Sequence, residues 1–222
     1  MSMPPPIPHW TEGRAKGGAR AGGRKAKRNG QTVEALALAA AEVYATQGLA
    51  VTRHVGPPVR QVGRPARNGT FSAIYEGEGP PDLLVTLPLP NRPARHGWIE
   101  VKGRSAASMA LDAVEAHQIQ YLQETARQGN PALILARLDH PTSGGWWLVP
   151  AVYWQSPNGK RKSLAPTHMS TFGCQCMDLN APGRLARPNA VPDWLGALKA
   201  LDSRGGCPWV QIWSHNNTNT AA

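Results

Sequence analysis

The segment Trp98-Ile99-Glu100-Val101-Lys102 constrains this chain more than any other. Alternate side chains of a strand share a face. Ile99 and Val101 therefore point one way, towards a core, while Glu100 and Lys102 point the other way together. A segment this apolar belongs inside a sheet, where a lone carboxylate is costly, and a neighbouring ammonium group relieves part of the cost. Taken alone, the pair reads equally well as an ion pair without chemistry. Asp82 changes that balance. It follows Pro80-Pro81, opens the apolar run Leu83-Leu84-Val85-Thr86-Leu87, and lies 18 residues before Glu100, so a hairpin brings the two carboxylates together. Like charges in close approach persist when a cation sits between them. Few hard oxygen ligands, with room left for water and phosphate, describe a Mg²⁺ or Mn²⁺ site. Lys102 beside it can orient an attacking water or stabilise charge building on the phosphate.

The surrounding pattern is that of a layered domain. Val33, Leu36, Ala37, Ala40, Val43 and Tyr44 recur at helical spacing from Gln31 onward, and Gly48 stands where a helix-ending glycine belongs. Residues 49–55 read as a strand. Residues 56–69 hold Pro57, Pro58 and Pro65 and read as an irregular or protruding segment lined by Arg60, Arg64 and Arg67. A loop carrying Pro88, Pro90 and Pro93 leads into the strand at 98–102. Residues 110–128 read as the clearest helix, with Leu111, Val114, Gln118, Tyr121, Leu122 and Thr125 on one stripe and Gly129 at its end. Residues 132–138 and 146–152 read as a strand meander, with a hairpin turn at Asn158-Gly159. Trp194, Leu195, Leu198 and Leu201 give a last amphipathic helix after Pro192, stopped by Gly205-Gly206. Helix, strands, helix, strands is the order of an α/β or α+β domain. A chain of 222 residues suits one such domain, at 30–205, with an arm at 1–29 and a tail at 206–222.

The net charge of +10 points to a polyanionic partner, because neutralised phosphates release condensed counterions. Residues 1–29 concentrate it. Behind Pro4, Pro5, Pro6 and Pro8 come Arg14, Lys16, Arg20, Arg24, Lys25, Lys27 and Arg28 against the single acid Glu12, with no apolar period, so a disordered cationic arm is expected. Lys160-Arg161-Lys162 beyond the hairpin turn can grip phosphate, or simply be a solvated turn. Cys174, Cys176 and Cys207 suit neither a disulfide framework nor a usual zinc knuckle. With no apolar run near the roughly 20 residues of a membrane span and no signal-peptide stretch at the start, the expected compartment is the cytoplasm of a bacterial cell or a phage-infected host.

Pro81-Asp82…Glu100-x-Lys102 resembles the signature of the PD-(D/E)XK nuclease superfamily. Its neighbours narrow the likeness: Asn29-Gly30-Gln31-x-x-Glu34, Tyr44 and Gly48, Gly56-Pro57-Pro58-Val59, and Glu115-x-His117-Gln118 resemble RecU-type Holliday junction resolvases over roughly residues 28–150. The resemblance implies a restriction-endonuclease-like central mixed β-sheet flanked by α-helices, a homodimer, and symmetric metal-dependent cleavage of four-way DNA junctions. It also implies a stalk, about residues 57–79 here, that protrudes into the junction. Position by position it makes Asp82 and Glu100 metal ligands, with the Val101 carbonyl as a third. It makes Lys102 the catalytic lysine, Glu34 the first-helix carboxylate, and Gln118 the glutamine of the helix after the motif.

The supporting residues also have a reading of their own. Glu34, among Val33, Ala37, Leu38 and Ala41, is either enclosed or an exposed first-turn acid complementing the helix dipole. Gln118 on an apolar stripe needs a partner, in chemistry or in a satisfied core amide. His117, one step off the stripe, reads as structural or surface rather than as a general base. Two rivals to the junction resolvase remain: a restriction-type or repair nuclease acting on linear duplex, and a basic DNA-binding protein with no catalysis.

Overall fold

The computed structural model describes residues 21–56, 59–62, 72–75, 79–89, 92–154 and 162–204. It opens with helix α1 (Ala21–Thr46), which reaches ten residues further back than the apolar period at Gln31. The expected disordered arm at 1–29 is therefore corrected over 21–29. Alanine, arginine and lysine are strong helix formers, and lengthening an existing helix needs no new nucleus.

Strand β1 (Val51–His54) follows. The segment read as irregular or protruding, 56–69, holds one strand, β2 (Val59–Val62), which pairs antiparallel with β3 (Ser72–Tyr75) beyond it in a ribbon of their own. The proline-rich loop is also corrected. β4 (Leu83–Leu89) and β5 (Arg92–Arg104) form one long antiparallel hairpin, from Leu83 opposite Ile99 to Leu89 opposite Arg92, with a register shift between Leu87 and Leu89. Pro88 and Pro93 are tolerated because each lies where a neighbouring strand has ended. The β1 ladder stops at Thr86, short of Pro88, and the ladder on the other side of β5 begins only at Trp98, past Pro93.

The long helix expected over 110–128 is shorter. Met109–Ala110 forms β6, Leu111 donates its N–H to the Lys162 carbonyl at 3.0 Å, and α2 spans Ala116–Arg127. The Glu115 N–H donates to Gln118 Oε1 at 3.3 Å, capping α2 one turn inside the apolar stripe. Long-range pairing of 109–110 wins over local helical period there. Gly129, at φ +76°, ends the helix in a conformation that glycine adopts without strain.

β7 (Ala132–Leu138) is buried along its whole length, as is β8 (Gly145–Pro150). β9 (Ser163–Leu164) pairs with β6, α3 (Pro166–Phe172) follows, and β10 (Cys174–Gln175) adds to β8. β11 (Met177–Asp178), β12 (Ala181–Leu185) and β13 (Pro192–Asp193) form a small antiparallel sheet, and α4 (Trp194–Ser203) closes the described chain. The central sheet is six-stranded and mixed, in the order β1-β4-β5-β7-β8-β10, with β5 and β7 parallel across the α2 crossover. A mixed sheet flanked by helices is what the resemblance implied.

The two sheet faces bury separate cores. Leu83, Val85, Leu87, Ile99, Val101, Leu133, Leu135 and Trp146 meet α1 and α4 on one side. Ile134, Ala136, Leu138, Trp147 and Val149 meet Leu122 of α2 and Met169 of α3 on the other. Each fully buried Leu, Ile or Val contributes about 1.5–3 kcal/mol. On the first side Tyr44 of α1 donates to Asp193 at 2.7 Å and sets its ring edge-on to Trp194 at 4.7 Å. Burial and the Asp193 carboxylate hold its phenol far above the usual range. Among the described residues no helix is long and apolar enough to cross a membrane.

Candidate active site

The hairpin delivers the acid pair. Asp82 sits one residue before the β4 ladder begins, where Val55 at the end of β1 donates its N–H to the Asp82 carbonyl at 2.8 Å. The Asp82 N–H donates to Glu100 Oε2 at 3.2 Å, and Asp82 Oδ2 accepts the Val101 N–H at 2.9 Å. Ile99 and Val101 enter the α1-side core, as strand alternation requires, so Glu100 and Lys102 share the α2 side. Lys102 Nζ lies 2.5 Å from Glu100 Oε1.

Glu100 is 0% exposed, and the electrostatics follow from that. Burial pushes its carboxyl up to about 7, the Asp82 charge adds to the rise, and Lys102 opposes it. For Lys102, burial alone would lower the ammonium. The charge and hydrogen bond of Glu100, with Asp82 and Glu115 behind them, outweigh that and hold it above the usual range. The site is thus a buried carboxylate forced against a second acid, with one ammonium group compensating. A divalent cation would relieve the remaining repulsion, and the donor set of two carboxylates plus a main-chain oxygen suits a hard ion. Among the described residues no group of three or more His, Cys, Asp and Glu side chains is gathered as a metal cage.

Glu34 is brought to the same end of the sheet. Helix α1 comes down so closely on β5 that a Cβ at Gly103 would stand 2.3 Å from Val33 Cγ2. The absence of a side chain there lets Val33, and Glu34 beside it, reach the site. Glu34 is partly exposed rather than enclosed. Its carboxyl is raised first by burial and then by Asp82, with His54 and Lys102 pulling it down. His54 Nε2 stands 3.9 Å from Glu34 Oε2. Nothing in the sequence singled out His54. Its only signal was its place at the end of a short strand just before Gly56.

Gln118 is buried, but its amide oxygen is engaged in the α2 cap, and it forms no hydrogen bond to Asp82, Glu100 or Lys102 among the described residues. His117 pairs locally with Glu115 at 3.4 Å. Lys162 is exposed. Arg64, Arg67, Lys160, Arg161 and the Asn158-Gly159 turn lie outside the described residues, as do Cys207, Gly205-Gly206, Pro90 and residues 206–222. The side chains of Arg24, Lys25, Lys27, Arg28 and Arg60 lie outside them too. Cys176 is fully buried and Cys174 half-buried, and burial pushes both thiols up, away from the reactive thiolate.

A pH dependence follows. Glu100 and Glu34 are both raised from the ordinary carboxylate value of 4.5, so the stability they contribute is complete below about 4.5 and lost as pH rises, for Glu100 through about 7. In EDTA the melting temperature should fall between pH 5.5 and pH 8. Glu100→Gln should flatten that fall, and an identical slope in the variant would refute the buried-acid description.

Fold and side chains together define a mixed α/β domain with a lysine-flanked acid pair at the end of its central sheet. No protein-family model matches the chain, and no curated protein does. Among solved structures it is similar to Hjc, a Holliday junction resolvase from the archaeal hyperthermophile Archaeoglobus fulgidus. The identity is 16%, over 59% of this chain and 86% of that one, with a TM-score of 0.33. So loose a superposition leaves the functional case to the side chains themselves.

Proposed function

We propose that this chain is a divalent-metal-dependent DNA endonuclease that resolves four-way junctions by paired symmetric nicks, acting as a homodimer. The observation that carries the reading is the joining of Asp82, Glu100 and Lys102 at one sheet end, with Asp82 and Glu100 each fixed by the other's strand. Asp82, Glu100 and the Val101 carbonyl would hold Mg²⁺ or Mn²⁺. When bound, the ion supplies neutralisation of the phosphate and activation of water for in-line attack.

The chain's own groups do the rest. The Val101 N–H holds Asp82 in one orientation, so the acid does not reorganise when substrate arrives. Lys102, kept protonated by Glu100, is a fixed positive charge beside the reacting phosphate. Glu34 and His54 border the same site and orient groups around it, whereas Gln118 acts through the α2 cap that sets Glu115 near Lys102. The net charge of +10 supplies non-specific attraction to DNA. The β2–β3 ribbon, which pairs with itself rather than with the central sheet, is the part of residues 57–79 that reaches into the junction. Two-fold symmetry of a dimer matches the two opposed strands to be cut.

The test is a synthetic four-way junction beside linear duplex of the same sequence, with Mg²⁺ or EDTA. Paired nicks at the branch, absent in EDTA, are expected. Equal nicking of linear duplex would instead favour a restriction-type nuclease. DNA binding with no cleavage under any divalent ion would favour a non-catalytic binding protein.

A further inference from the structure

One half of the α2-side sheet face is not covered by the described residues. Helix α2 packs on β5 and β7, but towards the sheet edge Val51 remains 54% exposed, Arg53 and His96 are exposed, and Leu84 and Thr86 are only half-buried. The ladders place these residues side by side: Arg53 opposite Leu84, Leu84 opposite Trp98, Val51 opposite Thr86, and Thr86 opposite His96. Where this open area meets α2, Tyr121 stands 44% exposed, edge-on to Trp98 with ring centroids 5.3 Å apart. Trp98 and Glu100 are alternate residues of one strand on one face, so their Cα atoms are about 6.7 Å apart. That is close to the step between neighbouring phosphates of a nucleic-acid strand.

We infer that this open face receives an unpaired nucleotide of the DNA strand being cut, with its base against Tyr121 and its backbone towards Arg53. The inference rests on the nuclease reading and deepens it. Three observations select the occupant. The aromatic pair runs directly into the acid pair along β5. Arg53 is an exposed cation with no ion-pair partner among the described residues, and the chain as a whole is strongly basic. The face is a shallow mixture of aromatic, aliphatic and cationic groups, which suits the π-face of a base and its phosphate better than a paired duplex edge. A fully paired duplex keeps its bases stacked, whereas a branch point can present one unstacked. The face thereby supplies a physical reason for preferring branched DNA.

The experiment is equilibrium binding in EDTA of a synthetic four-way junction, carrying 2-aminopurine at the branch nucleotides, to the full chain. Wild type should quench the probe. Tyr121→Ala should weaken junction binding roughly 5- to 100-fold and leave the probe bright, while Tyr121→Phe should restore both. Arg53→Ala should lower the slope of log affinity against log salt by about one. Equal affinity and quenching in Tyr121→Ala would overturn the inference, even if the protein cuts junctions. Tyr121→Ala converting a sedimenting dimer to monomer, with the probe never quenched in wild type, would also overturn it and assign the face to a second copy. Because the assay needs no cleavage, wild-type quenching in a protein that never cuts would sink the nuclease reading, and with it the link to a strand being cut, while leaving the face as a binding site for an unpaired base.

Discussion

Asp82→Asn should reduce junction cleavage by roughly a thousand-fold or more while leaving junction binding in place. The substitution keeps the size of the side chain and an oxygen that can still accept the Val101 N–H, the bond that fixes Asp82 at 2.9 Å. What it removes is one of two ligand charges. Loss of a metal's charge stabilisation is worth several kcal/mol in the transition state, and about 1.4 kcal/mol is tenfold in rate. Binding depends on cations elsewhere in a chain of net charge +10 and should change little. Glu100, relieved of the neighbour that pushes it up, should also titrate lower in the variant than in wild type. The measurement is single-turnover cleavage of a four-way junction in Mg²⁺, with binding read in EDTA. Near-wild-type cleavage by Asp82→Asn would remove this acid from the chemistry.

The second large effect is on stability. Trp194→Ala should cost about 3–5 kcal/mol. Trp194 is 0% exposed, packs edge-on against Tyr44, and opens α4 beside the Asp193 carboxylate that receives the Tyr44 hydroxyl and caps Gly196. Truncation leaves a cavity between α1 and α4 and strands the Tyr44 ring at its edge. At about 2–4 °C per kcal/mol for a chain of this size, the melting temperature should drop by roughly 10 °C. Leu185→Ala, at an exposed position of β12, should stay within about 0.5 kcal/mol of wild type. A wild-type melting curve for Trp194→Ala would mean that the C-terminal region is an appendage rather than part of the core.

That region was the least legible part of the sequence. Residues 177–193 contribute strands of two to five residues whose pairing is set by partners far along the chain, and so short a strand has no period to read. β7 was legible end to end because a strand buried on both faces reads as an unbroken apolar run. The alternation through Trp98–Lys102 was legible for the same geometric reason, and it already separated Ile99 and Val101 from Glu100 and Lys102. The start of α2 was hidden because Val114 fits the helical stripe yet is itself extended, following a short 3-10 turn at Leu111–Ala113 whose first N–H is bonded to Lys162. Tyr121 fits the stripe too, but it faces a part of the sheet that α2 leaves open. Nor could the sequence place Glu34 against Asp82 and His54, since that meeting depends on α1 seating on Gly103.

The central physical claim is that Asp82 and Glu100 share one divalent ion, and direct metal binding addresses it without reference to any substrate. Mn²⁺ titrated into the protein and followed by electron paramagnetic resonance should show a bound ion that excess Mg²⁺ displaces. Asp82→Asn and Glu100→Gln should each lose that ion while keeping the fold by circular dichroism. If both variants hold Mn²⁺ as tightly as wild type, the two acids are no metal site, and the nuclease proposal falls with them.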